Sequence, residues 1–542
     1  MAGLVLLVAY VGLSFLNDPH GYLGTDTGGK VATLEAMDRS SSFDPDVGYW
    51  AKQWDPEATY HALYNTTRID DRYLNVTSLP MVLAAEPLYR LGGYRLALLL
   101  PMLGSIAAAF AARAIAERLR PGRGWPAFWL TGLAGTMTIY AVDFWEHSIG
   151  AALMAWGVVA VLDATRDRAV LRKGVFAGLL FGAAFTMRTE AAVYALVAIG
   201  VGCIALLVRD RKVVEPIKLG GAAVVGAAIP ILLNIGLEIA VVGHSMRTSR
   251  AAGAASGGGD TLSFRVREGL TTTFSFSGGD NSAIMVGAFA LVLLAYAVIK
   301  APRDRPIKDG PIVIATAGLV ALLYLLDFRQ SGYGFVPGLV PTTPFVALAV
   351  VFAWRSDVGR IAATVALVAL PLVWVFEFSG GAGPQWGGRY VLTSAVVLGA
   401  IGLAHLDLVD RRVVGVVCAL AVFVTFIGAH WLSIRSHGID AARRDVAARS
   451  EPVLISESAF WLREMGSEAL DHRWLSARDP ASVGGAATIV RDAGLTEFGL
   501  LGTNGQAAPS GVDDWQRGRT DHYTWLGVDF TITTYDLRST TP

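Results

Sequence analysis

The sequence predicts an α-helical polytopic membrane protein of about thirteen transmembrane helices, followed by a small C-terminal extracytoplasmic α/β domain. Three observations predict this class. Hydrophobic residues make up 53% of the 542 residues and charged ones only 17%, whereas soluble domains average about 25% charged. Mean hydropathy is +0.47, and the apolar residues gather in runs approaching the length that crosses a hydrocarbon core of about 30 Å. The last 110 or so residues change character, with short alternating apolar stretches between turn residues.

The first run, Leu4 to Leu16, has no basic residue before it and no small-residue cleavage site after it, so it reads as an uncleaved span. Ala84 to Gly93 is interrupted by Glu86, Pro87 and Arg90 and reads as an interfacial segment. Further spans are expected at Leu96–Ile115, Trp125–Val142, Ile149–Leu162, Gly174–Met187, Ala191–Val208 and Leu219–Val242. The rest are Ala283–Ile299, Pro311–Leu326, Gly338–Trp354, Ile361–Phe376, Tyr390–Ala404 and Val413–Leu432. A transmembrane domain over 1–432 is therefore expected, with long loops at 17–80 and 243–282, and an α/β domain over 433–542. In the latter, strands are expected at Pro452–Ser456, Arg473–Ser476, Glu497–Leu501 and Val528–Tyr535, and helices at Ala459–Met465 and Pro480–Ala493.

Lys+Arg and Asp+Glu are equal at 45 each, which excludes a broadly basic nucleic-acid binder and makes the distribution of charge the informative quantity. Arg118, Arg120 and Arg123, then Arg166 to Lys173, Arg209 to Lys218, Lys300 to Lys308, Arg355 and Arg360, and Arg411 and Arg412 all follow even-numbered spans. The positive-inside rule puts these loops in the cytoplasm and the 17–80 loop and the tail outside. Cys203 and Cys418 lie in apolar runs and carry no compartment signal. Arg in excess of Lys, with abundant Ala, Gly and Val, suggests a GC-rich bacterial gene, so the membrane expected is the bacterial cytoplasmic membrane.

The outer side collects the candidate chemistry. Asp26 stands in a glycine-rich stretch, Gly21-Tyr-Leu-Gly-Thr-Asp-Thr-Gly-Gly-Lys30, soon after the first span. Asp143, Glu146 and His147 follow the third span. A carboxylate at a membrane face is costly unless something uses it, and near an acceptor hydroxyl it can take a proton during attack. Taken singly, each acid also reads as solvated or helix-capping. Asp18 precedes Pro19, and a helix-ending turn explains it.

Arg188, Arg247, Arg250, Arg329 and Arg389 gather on the same side and suit an anionic lipid headgroup. Arg188 could equally pair with Glu190, and Arg329 with Asp327. Arg188-Thr-Glu190 separates two short spans, which places irregular backbone inside the bundle and implies a polar cavity opening outward. Gly383-Pro-Gln-Trp-Gly-Gly-Arg-Tyr390 offers an amide (Gln385), a stacking face (Trp386), a cation (Arg389) and a phenol (Tyr390), as a sugar phosphate would need. Its other reading is a Gly-Pro turn with interfacial aromatics. The small-residue stretch 251–259 reads as a lid or as a linker.

These features together resemble the GT-C superfamily of integral membrane glycosyltransferases, which use polyprenyl-phosphate-linked sugars. The branch is that of protein mannosyltransferases, lipid A aminoarabinose transferases and actinobacterial arabinosyltransferases. The likeness rests on the early acid Asp26 in a long outside loop, the acid and His after the third span (Asp143, Glu146, His147), the Arg188–Glu190 tip and the Gln385–Tyr390 segment. It implies Asp26 as catalytic base, Glu146 and His147 as groups placing the donor phosphate or a metal, and Arg389 as a phosphate ligand. A divalent cation, Mg, Mn or Ca, held by Asp26, Glu146 and His147 belongs to the same expectation. One departure is that Asp26 is followed by Thr27 rather than by a second acid, which separates the chain from the protein mannosyltransferases.

The function expected is inverting transfer of a sugar from a polyprenyl-phosphate donor to a hydroxyl of a glycan, lipid or protein acceptor in cell-envelope assembly. Arg188 and Asp143 would join the donor-phosphate groups, with Glu190, Arg247, Arg250, Arg329, Gln385, Trp386 and Tyr390 in substrate binding. A flippase of lipid-linked sugars would use the same arginines, but no inverted repeat is seen. A glycan ligase or polymerase would differ in donor size alone.

Overall fold

A computed structural model describes the chain except residues 23–24, 64–65, 76–77, 167–168, 247–260, most of 276–335, 378–385, 459–460, 506–508 and 539–542. Seven of the described helices are long and apolar enough to cross a membrane: Leu99–Leu119, His147–Arg166, Val170–Met187, Ala191–Asp210, Val214–Val242, Asp357–Glu377 and Arg411–Ala447. Ala2–Ser14, Val346–Arg355 and Arg389–Leu403 are shorter apolar helices. The protein is a multi-pass membrane protein. The span expected at 311–326 lies outside the described residues, as do all but a few residues of the one expected at 283–299.

Two expected spans are broken. The stretch from Trp125 to Val142 forms helices Gly124–Leu133 and Thr136–Ala141, separated by Ala134 and an extended Gly135. Likewise Gly338–Trp354 breaks into Leu339–Thr342 and Val346–Phe352. There Pro344 forces the preceding Thr343 out of the helical region, at φ −134° and ψ 68°.

Contacts divide the chain into two units. The first comprises Met1–Leu13, Leu98–Gly236 and Ala254–His430; the second comprises Ser14–Ala97, Leu237–Gly253 and Trp431–Pro542. The segment expected as a loop of the transmembrane domain, 17–80, is thus grouped with the tail.

In the first unit, buried small residues let helices approach closely. Gly174, Gly178 and Gly182 recur every four residues along one ridge of the Val170–Met187 helix. A Cβ at Gly178 would lie 2.1 Å from the Ala223 carbonyl oxygen, and one at Gly182 would lie 2.5 Å from that of Ala227. From the opposite helix, a Cβ at Gly226 would meet the Val175 carbonyl oxygen at 2.2 Å. Lipid supplies no hydrophobic force between helices, so this backbone-to-backbone fit is what joins them.

The second unit is built on a five-stranded sheet of β3 (Leu454–Ser456), β4 (Trp474–Ser476), β5 (Glu497–Thr503), β6 (Trp515–Trp525) and β7 (Val528–Leu537). Its order is β4-β3-β5-β7-β6. The first three strands are parallel, and β7 is antiparallel to both β5 and β6. β6 does not figure among the expected strands. A separate hairpin pairs β1 (Thr66–Ile69) with β2 (Arg72–Asn75).

Side chains alternate between two apolar clusters. Leu454, Leu501 and Ile532 join Ala32, Ala442, Val446 and Leu462; Ile455, Leu475, Leu500 and Tyr535 join Val483, Ala486, Ala487 and Val490 of the Val483–Asp492 helix. Ala32 comes from the Thr25–Arg39 helix, which forms where a loop is expected.

If the glycine ridge joins the two helices, Gly178→Leu should destabilise the protein by about 1–3 kcal/mol through overpacking. Gly200→Leu, where nothing lies within 4 Å, should leave stability unchanged. Thermal unfolding in lipid nanodiscs checks this, and equal effects of the two substitutions would refute it.

Candidate functional site

Asp26 lies in the first turn of the Thr25–Arg39 helix, where the unsatisfied N–H groups favour negative charge. Its side chain is 31% exposed, and the 5% exposed Arg463 places Nη2 3.1 Å from its Oδ1. The glycines beside Asp26 have a packing role. A Cβ at Gly28 would fall 1.7 Å from the Arg463 carbonyl oxygen, and one at Gly29 would fall 2.9 Å from Arg463 Nε. Their absent side chains admit the segment carrying Arg463, and so place the guanidinium on the carboxylate. Arg463 is a partner that sequence reasoning missed, and no local pattern marks it.

A second constellation lies in the first unit. Arg188, at the C-terminal end of the Val170–Met187 helix, donates from Nε to Glu190 at 3.0 Å and from Nη1 to Glu146 at 3.2 Å. All three are buried. Burial works against the arginine's charge, but the fields of Glu190 and Glu146 outweigh it and hold the guanidinium well above its ordinary value. Gly150 makes room for this side chain, since a Cβ there would lie 2.7 Å from Arg188 Cγ. Thr189 hydrogen-bonds Glu377 at 2.5 Å, which ties the tip to the Asp357–Glu377 helix.

Tyr390 connects this triad to Arg389. The guanidinium of Arg188 lies 5.0 Å from the centre of the Tyr390 ring and that of Arg389 lies 4.7 Å from it. Arg389 also faces Trp145 at 5.8 Å. His147 stands 4.8 Å from Trp145, 5.7 Å from Tyr140 and 6.3 Å from Tyr390, ring to ring. Tyr140 donates its hydroxyl to the carbonyl of the buried Trp386 at 2.9 Å. The glycines of the Trp-Gly-Gly-Arg-Tyr turn are required there. Gly387 and Gly388 have φ +65° and +72°, a left-handed region that side chains disfavour, and a Cβ at Gly387 would lie 1.9 Å from Thr136 Cγ2.

The structure therefore brings Glu146, His147, Arg188, Glu190, Arg389 and Tyr390 together, with Trp145 and Tyr140 as additions that sequence reasoning missed. Asp143 is buried two residues before Trp145, whose backbone N–H donates to the Asp143 carbonyl at 2.7 Å. Arg247, Arg250, Arg329 and Gln385 lie outside the described residues. Asp18 accepts the His20 N–H at 2.9 Å, as a turn residue does.

The donor set fits an anion better than a resident divalent cation. Asp26 already pairs with Arg463, and Glu146 with Arg188, so a cation would have to displace an arginine at either. Among the described residues, Asp18, His20 and Asp440 have ligand atoms within 4.8 Å of one another. Asp440 is itself paired with Arg443 and Arg444 at 3.1 and 3.0 Å.

No protein-family model matches the chain, and no curated protein matches it. Among solved structures, ArnT from Cupriavidus metallidurans bound to undecaprenyl phosphate aligns over 98% of this chain and 97% of its own, at 12% identity and a TM-score of 0.51. Its apo state aligns with the same coverages at 11% identity and a TM-score of 0.52. An Archaeoglobus fulgidus oligosaccharyltransferase in complex with zinc and sulfate covers 91% of this chain and 67% of its own, with 12% identity and a TM-score of 0.46. The two ArnT structures establish a shared fold over nearly the whole of both chains. The chain has the GT-C-like fold that its sequence motifs resemble.

Proposed function

We propose that the protein is an inverting glycosyltransferase that moves a sugar from a polyprenyl-phosphate donor to an acceptor hydroxyl on the outer face of the bacterial cytoplasmic membrane. The product would belong to a cell-envelope glycan or glycolipid. One observation carries the reading: two arginines converge on the Tyr390 ring within an apolar helical unit, one of them held by two buried glutamates. Such a site suits a lipid-borne phosphate. The neighbour of the same fold that is bound to undecaprenyl phosphate supports the choice of donor.

Each group then has a role. The Asp26 carboxylate takes the proton of the acceptor hydroxyl as its oxygen attacks the anomeric carbon. The bond from that carbon to the phosphate oxygen breaks, and one direct displacement inverts the centre. Arg389 offers a guanidinium fork to the departing phosphate, whose growing charge it stabilises. Arg188 adds positive field, with Glu146 and Glu190 as positioning residues. His147 and the Trp145 indole N–H, the latter buried without an acceptor among the described residues, are further donors to the phosphate or sugar. No step is routed through a metal.

Reconstituted protein with a radiolabelled polyprenyl-phosphate sugar tests the proposal. Labelled product without translocation of the donor is expected; movement without product would instead indicate a flippase. Asp26→Asn should lower transfer by about 10²- to 10⁴-fold, the usual worth of a general base, with donor binding kept. Full activity in a folded Asp26→Asn protein would rule out this base.

Arg389→Gln should lower the turnover number by about 10²- to 10³-fold, as loss of a transition-state donor does. Activity equal to wild type would remove Arg389 from the site. Transfer assayed in excess chelator should persist, because the carboxylates that would bind a cation are paired with arginines. Loss on chelation, restored by added Mg, Mn or Ca, would contradict that.

A further inference from the structure

A polar cavity of about 540 Å³ lies wholly within the second unit. Its place follows from strand order. β4 lies on one side of β3 and β5 on the other, so the carboxyl ends of β3 and β5 flank a topological switch point, where open α/β sheets bind ligands. Glu457 follows β3, and its N–H donates to the Leu501 carbonyl of β5 at 2.9 Å. Asn504 follows β5 and also lines the cavity.

The floor of the cavity is the part of the sheet that the Val483–Asp492 helix does not cover. Thr531 and Thr533 alternate onto the same face of β7 as Tyr535, and β6 sets His522 opposite Thr531 and Thr520 opposite Thr533. The result is a surface of hydroxyls, an imidazole and an amide, each able to donate and to accept.

Glu457 provides a second, independent observation. The residue is 6% exposed, and its carboxyl has no hydrogen-bond or ion-pair partner among the described residues. Burial pushes it up to about 7. The exposure its carboxyl keeps belongs to a residue that lines the cavity, where a ligand hydroxyl would give it a hydrogen-bond partner. Asp513 and Glu457 share the lining with Arg517 and Arg538, so the site has no large excess of positive charge to hold an anion.

We infer that this cavity is a binding site for a neutral carbohydrate segment, the glycan end of the acceptor. The existence of the site rests on the cavity and on Glu457; the choice of a sugar as occupant rests on the sugar-transfer reading. The site takes no part in the bond-making step.

Full-length protein in phospholipid nanodiscs, free of sugar-based detergent, should be titrated with neutral mannan, glucan, arabinan and galactan fragments, with binding followed by saturation-transfer NMR. At least one fragment should bind, with affinity falling tenfold or more in Glu457→Gln and in His522→Ala. His522 is exposed, so its variant keeps the test open if Glu457→Gln fails to fold. Binding of none of the fragments, undiminished binding in folded variants, or preference for inorganic phosphate would each overturn the inference. Because no donor is present, these outcomes are separate from the fate of Asp26→Asn: loss of the base mechanism leaves fragment binding intact, and loss of fragment binding leaves donor cleavage intact.

Discussion

A guanidinium among apolar helices must be matched by anions, and much of the first unit is arranged around meeting that demand for Arg188. Removing one partner of a buried pair costs about 3–5 kcal/mol, against about 0–1 kcal/mol for a solvent-exposed pair. Glu190 sits two residues along the same tip, while Glu146 arrives from the start of another helix, so the pairing also sets where those helix ends meet. Gly150 leaves the space that the arginine stem occupies. The second cation, Arg389, is placed by a different device, a left-handed Gly-Gly turn that aims it at the same aromatic ring. Charge that lipid would reject is thereby kept in a fixed geometry, the kind of preorganisation that the proposed departure of a lipid phosphate from the sugar would draw on.

The second unit treats its key carboxylate differently. Asp26 is partly exposed and has a buried arginine behind it, so it is oriented without being sealed. The proposed role of Asp26, taking a proton from an acceptor hydroxyl, needs that access. In the proposed mechanism, the contrast between a sealed triad and an open carboxylate separates groups that position from the group that reacts.

The helical spans were legible because hydropathy sums over a window, and the same summation hides breaks. Trp125 to Val142 is apolar throughout, so the turn at Ala134-Gly135 leaves no trace in it; Pro344 was a visible warning in the other broken span. The Thr25–Arg39 helix was illegible for the opposite reason. It buries Thr27, Lys30 and Thr33 against its own unit, so its inward face does not look apolar. The Arg188–Glu190 pair could be suspected from spacing, whereas Arg463 meets Asp26 from the far end of the chain. In the tail, β3, β4, β5 and β7 carry buried apolar residues at short spacing. β6 is Gln-Arg-Gly-Arg-Thr-Asp-His over most of its length and reads as loop, although its ladder to β7 is long.

That polar strand lies at one margin of the sheet, and its chemistry bears on solubility. An unpaired strand margin presents N–H and C=O groups that can recruit another chain and seed aggregation. On β6 the register shifts between Arg517 and Thr520, and Arg519 and Asp521 form an exposed ion pair, so a second strand would meet both an irregular backbone and fixed charge. At the opposite margin β4 spans only three residues, and its outer edge is covered: the Ser476 N–H donates to the Tyr60 carbonyl at 2.8 Å and the Trp50 indole N–H to the Trp474 carbonyl at 2.9 Å. The residues that made β6 hard to recognise as a strand are thus the ones that keep this margin of the sheet from recruiting another chain.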